Sequence, residues 1–388
     1  MSLPILAPED RPLAGLKVLD FAQFLAGPAA ALRLADLGAT VIKIERPKGG
    51  DLCRGLVIND QKLDDSSLLF HTFNRGKQSV AADLKNPADL AAVKRLVAEA
   101  DVMIHNFRPG VMDRIGLDIE TVRAVNPGIV YGHVTGYGND GPWRDKPGQD
   151  LLAQSLSGMC WLQGDRAQGP VPVGFALLDI ATGNNLVQGI LSMLVRRGVS
   201  GQGGLVEVDL MSSAMDLQFE QLTAFFNDDT LPSRTEISNA NVYGAAPYGI
   251  YATADGWLAL AMVPLAVLAD LLDCPALNDF AQPEAFGRRD EIKPIIAAAL
   301  KTRPTQAWLD VLEPADVWCA EVLDWARLSR TEGFAALSPL MTMRTADGRE
   351  ARTTRCPIRL DGGLLTSGVG APALGAHTSQ HIDKADAV

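Results

Sequence analysis

Residues 16–45 read LKVLDFAQFLAGPAAALRLADLGATVIKIE, and the order of patterns within them decides the fold. The apolar run 16–20 (LKVLD) has strand character, FAQFLAG follows as a loop, and a helix then opens with Pro28 in its first turn and stops at Gly38. Residues 40–45 (TVIKIE) make the next strand. Strand, helix, strand in this short span is a βαβ unit, which implies a parallel sheet with right-handed crossovers.

The alternation continues outward. SVAADLK (79–85) is expected as a strand, 87–100 as a helix capped by Asn86, DVMIHNF (101–107) as a strand, Glu120–Val125 as a short helix, and GIVYGHVTGYG (128–138) and LVEVDL (205–210) as further strands. Such alternation builds a doubly wound, Rossmann-like α/β layer, expected over a large domain 1–226. Residues 227–241 are polar and turn-rich and read as a linker. Beyond them PYGIYATADGWLALAMV (247–263) is a hairpin turning at Asp255-Gly256, followed by helices to about Leu312 and a strand in ADVWCAEVL (315–323). That defines a smaller α+β domain, 227–329. A dinucleotide site is tested by Glu45, which stands at the end of the second strand where an acid would hold a ribose. The loop before the first helix offers only Gly27, between Ala26 and Pro28, and so lacks GxGxxG.

The 388 residues carry a net charge of -11, which argues against a nucleic-acid partner, and 47% hydrophobic content without a long uncharged apolar run, which argues against a membrane span. The five cysteines stand singly, so neither a disulfide framework nor a metal site is expected. The opening MSLPILAPEDRPLAG shows no basic region followed by an apolar core, and a cytoplasmic enzyme is expected.

The stretch from Pro147 to Gly183, PGQDLLAQSLSGMCWLQGDRAQGPVPVGFALLDIATG, carries two carboxylates. Asp179 stands at the mouth of a long apolar helix expected from about Ile180 to Arg197, with apolar neighbours before it and Ala181, Thr182 and Gly183 leaving room for a ligand. It reads either as a helix cap or as a carboxylate nucleophile, and the roles are compatible. A helix N-terminus favours the ionised form, and an aspartate with an ordinary pKa of about 3.9 needs no base to be nucleophilic. Asp150 lies across a Gly-rich turn. Arg46, Lys48, Arg75, Lys77, Lys85, Arg108 and Arg114 gather near the loops of the α/β layer and together suggest a phosphate site.

The segments LKVLDFAQFLAGP, LADLGATVIKIERP, NRGKQSVAADLK, ADVMIHNFRPGVMDRIGL, NPGIVYGHVTGYG, LLDIATG, GQGGLVEVDLM, PYGIYATADGWLALAM and LGAHT, in this order along almost the whole chain, resemble the class III coenzyme A transferases. That family includes formyl-CoA transferase, carnitine CoA-transferase and α-methylacyl-CoA racemase. The resemblance implies transfer of CoA from an acyl-CoA to a carboxylic acid through an aspartyl anhydride and an aspartyl-CoA thioester, with Asp179 of DIATG as nucleophile. It implies CoA contacts at Arg46, Ala82, Lys85, Asn106, Phe107, Arg108 and Arg114, with Arg46 and Arg114 on phosphates and the apolar residues flanking the adenine. Acyl-CoA is then substrate, with no tightly bound cofactor. It also implies an interlocked homodimer, and a C-terminal part, 330–388, that returns to the large domain.

Two alternatives remain, an acyl-CoA racemase or epimerase and a non-catalytic CoA-binding protein. Racemases of the family have His where this chain has Gln149 of Gly148-Gln149-Asp150, and glutamine cannot shuttle a proton, which favours transfer. Gln23, Gln149, Asp150 and Gly244 are supporting candidates. Backbone N–H groups around Gln23–Gly27 or in the Gly244 loop are candidates for an oxyanion site.

Overall fold

The structure is a computed structural model that describes residues 4–382. The chain divides into two compact units. One comprises the chain through Ala153, Ala176–Ala214 and the part from Ser338 onward; the other comprises Gln154–Phe175 and Met215–Leu337.

The first unit holds β1 (Lys17–Asp20), α1 (Ala26–Asp36), β2 (Thr40–Glu45), α2 (Leu68–Asn74), β3 (Gln78–Ala81), α3 (Pro87–Glu99), β4 (Val102–His105), α4 (Val111–Ile115), α5 (Ile119–Val125), β5 (Val130–Thr135), the start of α6 (Asp150–Leu156), α7 (Leu177–Ser200), β6 (Gly204–Asp209) and most of α8 (Leu210–Leu217). Its six strands are all parallel in the order β3-β2-β1-β4-β5-β6, the doubly wound arrangement expected from the alternation. Because strand side chains alternate, Val18, Val41, Val102, Ile104 and Val130 pack on one face with Ala30, Leu34, Leu186 and Ile190 of α1 and α7. Leu19, Ile42, Met103 and Tyr131 pack on the other with Val93 and Val97 of α3. Asn86 caps α3 as expected, accepting from Ala88 and Asp89. Strands β3 and β4 are shorter than the apolar runs that announced them.

α1 and α7 approach closely because small residues meet. A Cβ on Gly183 would lie 2.8 Å from the carbonyl oxygen of Ala26 and 3.4 Å from the amide of Ala30.

The second unit contains α9 (Phe219–Asp228), an antiparallel sheet of β7 (Gly249–Ala252), β8 (Trp257–Leu260) and β9 (Cys319–Glu321), and helices α10 (Leu265–Leu271), α11 (Arg289–Leu300) and α12 (Thr305–Leu312). Tyr251, Leu258, Leu260, Leu268, Ile292, Ile296 and Trp308 form its core. It begins twelve residues earlier than the expected 227 and adds 154–175. The reason is hydrogen bonding that sequence adjacency conceals. Arg234 donates to the carbonyls of Gln163, Gln168 and Gly169, and the amide of Arg166 donates to Thr235. The helical stretch after β6 is broken, α8 ending at Leu217 and α9 starting at Phe219. Among the described residues no helix is long and apolar enough to cross a membrane.

Candidate active site

α7 starts at Leu177, so Asp179 is the third residue of its first turn and not the cap. Ala176 occupies the cap position and offers no side-chain bond. The capping is done by Asp150, whose Oδ2 accepts the N–H groups of Leu178 (2.7 Å) and Asp179 (3.1 Å). Asp150 reaches α7 because the chain before it folds tightly on itself. Gly136 and Gly148 stand face to face, a Cβ on either falling 2.5–2.7 Å from the other's Cα.

This corrects the expectation that the helix end keeps Asp179 ionised at an ordinary pKa. The N–H groups that would favour its charge are satisfied by a second carboxylate. Among the described residues no hydrogen bond or ion pair reaches the half-buried Asp179 side chain. Burial, and secondarily the charge of Asp150, push its pKa from 3.8 up to about 7. Among the described residues, every other carboxylate with a displaced pKa moves down, as Asp20 and Glu45 do where neighbouring cations outweigh their burial.

A cavity of about 190 Å³ opens at the carboxyl ends of β1 to β4, on the edge where strand order reverses. Arg46, Ala82, Lys85, Phe107 and Gln23 all line it, together with Phe21, Leu84, Val111 and Ile115, which supply apolar walls. Arg46 and Lys85 are exposed at its mouth. Asn106, Arg108 and Arg114 are not among its lining residues. Arg108 and Arg114 are exposed nearby, Arg114 lying back toward Gly110, where a Cβ would meet its guanidinium at 3.4 Å. Asn106 is committed elsewhere: it accepts the Gln23 N–H (2.9 Å) and donates to the Gln23 carbonyl (2.7 Å).

Two members of the expected basic cluster are structural. Arg75 makes two bonds to Asp36 (2.6 and 2.9 Å), and Lys77, fully buried, donates to Asp20 (2.8 Å), Asn74 (2.9 Å) and the Pro28 carbonyl (2.9 Å). Proximity to loops in the sequence could not separate them from Arg46. Glu45 is likewise occupied, gripping Arg54 with both oxygens at 2.8 Å and accepting from Ser79 and the Asp51 amide, which is a physical reason besides the missing glycines for the absence of a ribose-binding acid.

Lys43 and Asp51 also line the cavity and escaped the sequence reading. The signal was present, since a lysine in the middle of TVIKIE interrupts a strand whose neighbours are all buried. Lys43 sits 2.8 Å from Asp51 and donates to the Ala22 carbonyl at 2.6 Å.

The oxyanion expectation also needs correction. The N–H of Ala22 goes to Asp20, that of Gln23 to Asn106 and that of Phe24 to Asp51, leaving the first turn of α1, whose N–H groups have no partner within the helix. In the second unit the N–H of Gly244 is bonded to Asn241, that of Tyr243 to the Asn241 side chain and that of Ala246 to Ala285. Gln149 is exposed, and its side chain accepts a long bond from Leu152 at 3.4 Å.

Residues 13–378 match the model of CoA-transferase family III. The chain is 30% identical over 388 residues to the succinate–glutarate CoA-transferase of Agrobacterium fabrum, covering 97% of this chain and 96% of that one. It is 32% identical over 340 residues to the acetyl-CoA:oxalate CoA-transferase of Acetobacter aceti, covering 85% of each. Its fold is similar to a crystal structure of a mutant of Rv3272 from Mycobacterium tuberculosis, with TM-score 0.84 and 28% identity, covering 96% of this chain and 99% of that one. The chain belongs to CoA-transferase family III and is an enzyme of that type.

Proposed function

We propose that the enzyme moves CoA from an acyl-CoA thioester to a free carboxylic acid by covalent capture on Asp179. A carboxylate oxygen of Asp179 attacks the thioester carbonyl, the C–S bond breaks, and CoA leaves as thiolate, giving a mixed anhydride. The thiolate attacks the aspartyl carbonyl and expels the donor acid, leaving an aspartyl-CoA thioester. The acceptor carboxylate attacks the aspartyl carbonyl of that thioester, breaking its C–S bond and forming a second mixed anhydride, and the released thiolate then attacks the acceptor's acyl carbon, giving the new acyl-CoA and restoring the Asp179 carboxylate. No proton is gained or lost over the cycle, and the thioester's energy is retained.

The observation that carries this reading is the isolation of Asp179: a half-buried carboxylate without a cation, raised to about 7 beside a second acid. Such a group is partly ionised at neutral pH and more basic than an ordinary carboxylate once ionised. In this reading Arg46 and Lys85 hold phosphates of CoA, with Arg108 and Arg114 nearby, while Ala82 and Phe107 flank the adenine. Asn106 orders the loop before α1. The active enzyme is read as an interlocked homodimer in the cytoplasm.

The test is to incubate the enzyme with succinyl-CoA, trap with hydroxylamine or borohydride, and map the adduct by mass spectrometry while assaying exchange into a panel of mono- and dicarboxylic acids. An adduct on another residue, or full exchange by Asp179→Asn, removes the nucleophile assignment. Exchange of the α-proton of a 2-methylacyl-CoA with deuterated water, without an acceptor acid, identifies a racemase instead. CoA binding without either reaction identifies a binding protein.

A further inference from the structure

The segment Ala22–Phe24 joins the cavity to the start of α1, whose Ala26 packs on Gly183 one turn beyond Asp179. Phe24 has φ 63°, a conformation rare for a bulky residue, and its side chain is 49% exposed. Every backbone polar group from the Ala22 N–H to the Phe24 N–H is held by a side chain. Asp20 takes the Ala22 N–H at 3.0 Å, Lys43 the Ala22 carbonyl at 2.6 Å, Asn106 both groups of Gln23, and Asp51 the Phe24 N–H at 3.3 Å.

We propose that Asp51 is a positioning residue for CoA transfer: through the Phe24 N–H and its ion pair with Lys43 it fixes the strained loop that presents Gln23 to the cavity. The carboxylate is itself locked. Its own amide donates to Glu45 at 3.0 Å, Oδ1 also accepts from Cys53 at 2.9 Å, and Oδ2 faces Lys43 at 2.8 Å. Lys43 lies 3.6 Å from Asp20, which Lys77 secures at 2.8 Å, and all four charged side chains are at most 1% exposed. Four buried charges are a costly way to fill a core, and apolar side chains of the same volume are often as stable or more so. Their retention beside the cavity is explained by geometry: a loop in an unfavourable conformation needs its amides fixed from several sides, and apolar packing cannot do that.

This rests on the proposed reaction, so the test has one arm that does not depend on it. The apolar double variant Lys43→Met/Asp51→Leu is compared with Asp51→Asn, which keeps an acceptor oxygen for Phe24, and with wild type. Hydrogen exchange in the peptide spanning residues 21–26 is followed together with thermal stability, CoA binding and exchange from succinyl-CoA to dicarboxylic acids. The double variant is expected to fold with wild-type thermal stability, to exchange the loop amides at least ~10-fold faster, and to lose about 100-fold in kcat, the scale of an ångström-sized misplacement, while the KM for succinyl-CoA changes less than ~3-fold. Asp51→Asn is expected to keep loop protection and kcat within ~10-fold of wild type. Unchanged loop protection in the double variant overturns the proposal whatever the assay shows. Wild-type kcat despite a loosened loop overturns it as well. If the double variant fails to fold, a loop in Asp51→Ala as protected as in wild type overturns it. Wild-type enzyme that transfers no CoA counts against the proposed reaction, and the amide exchange still decides whether Asp51 holds the loop.

Discussion

Replacing Asp179 by asparagine is expected to abolish CoA transfer and to stabilise the fold, by an amount that depends on pH. The folded-state pKa of about 7 lies above the ordinary 3.8, so the native protein holds a proton that the unfolded chain has released. The penalty for ionising Asp179 is therefore absent below about pH 4, grows as pH rises through the interval, and is complete above about pH 7. At 1.36 kcal/mol for each pH unit of displacement the ceiling is about 4 kcal/mol. Water reaches a half-buried carboxylate and screens part of this, so about 2 kcal/mol is expected in practice. Asparagine has the same shape and no charge to desolvate. The assay is denaturant or thermal unfolding of both proteins at pH 5, 6, 7 and 8, read as the difference between them, with an expected offset of about 2–3 °C at pH 8 that shrinks toward pH 5. An offset that is flat across this range, or a less stable asparagine variant at pH 8, would refute the account of why Asp179 is displaced.

Other substitutions check the surrounding geometry. Asp150→Asn keeps an oxygen to cap α7 but removes the second charge, so the acidic limb of the kcat–pH profile should move to lower pH; the move stays smaller than the full displacement because burial is the larger cause. Gly148→Ala forces a methyl group to within 2.7 Å of the Gly136 Cα and should cost about 1–3 kcal/mol in unfolding experiments, with loss of turnover as Asp150 leaves the helix end. Arg46→Gln and Lys85→Gln should each raise the KM for acyl-CoA about 10-fold, the order of a lost charge-assisted phosphate contact, and leave the fold's melting temperature nearly unchanged. KM values that do not respond would place the phosphates elsewhere.

The sequence made the sheet legible because its signals are local. Val18, Leu19, Val41 and Ile42 are buried on alternate faces of adjacent strands, and Pro28, Gly38 and Asn86 mark helix ends within a few residues of themselves. It made Arg46, Ala82, Lys85 and Phe107 legible by resemblance, and the fold brings these four to one cavity. What remained hidden depends on partners distant in the chain. Asp150 is bonded to amides 28 and 29 residues away, and the chain just before it is turned by the Gly136–Gly148 contact, itself nonlocal. Arg75 and Arg46 look alike as letters, yet one is buried on Asp36 and the other is exposed. The amides of Gln23 and Gly244 looked available until their acceptors, Asn106 and Asn241, were placed.

The distribution of cations ties these differences together. The chain carries eleven more acidic than basic side chains, and the first unit nevertheless places Lys43, Lys77, Arg75 and Arg54 against Asp51, Asp20, Asp36 and Glu45 inside the fold. Lys43 and Lys77 beside Asp20, and Arg54 beside Glu45, hold these two acids below the ordinary carboxylate range despite their burial, and Asp20, Asp51 and Glu45 serve as fixed acceptors for amides or a hydroxyl. Asp179 receives the opposite treatment: its nearest charged influence is another acid, and the amides at the helix end are already bonded to that acid. A carboxylate left without a cation gains little from its surroundings when ionised, so it gives up little when it attacks a carbonyl carbon. In the proposed reaction, the lack of a counter-ion at Asp179 among the described residues, which weakens the native state at neutral pH, is also what suits this carboxylate to covalent capture of an acyl group.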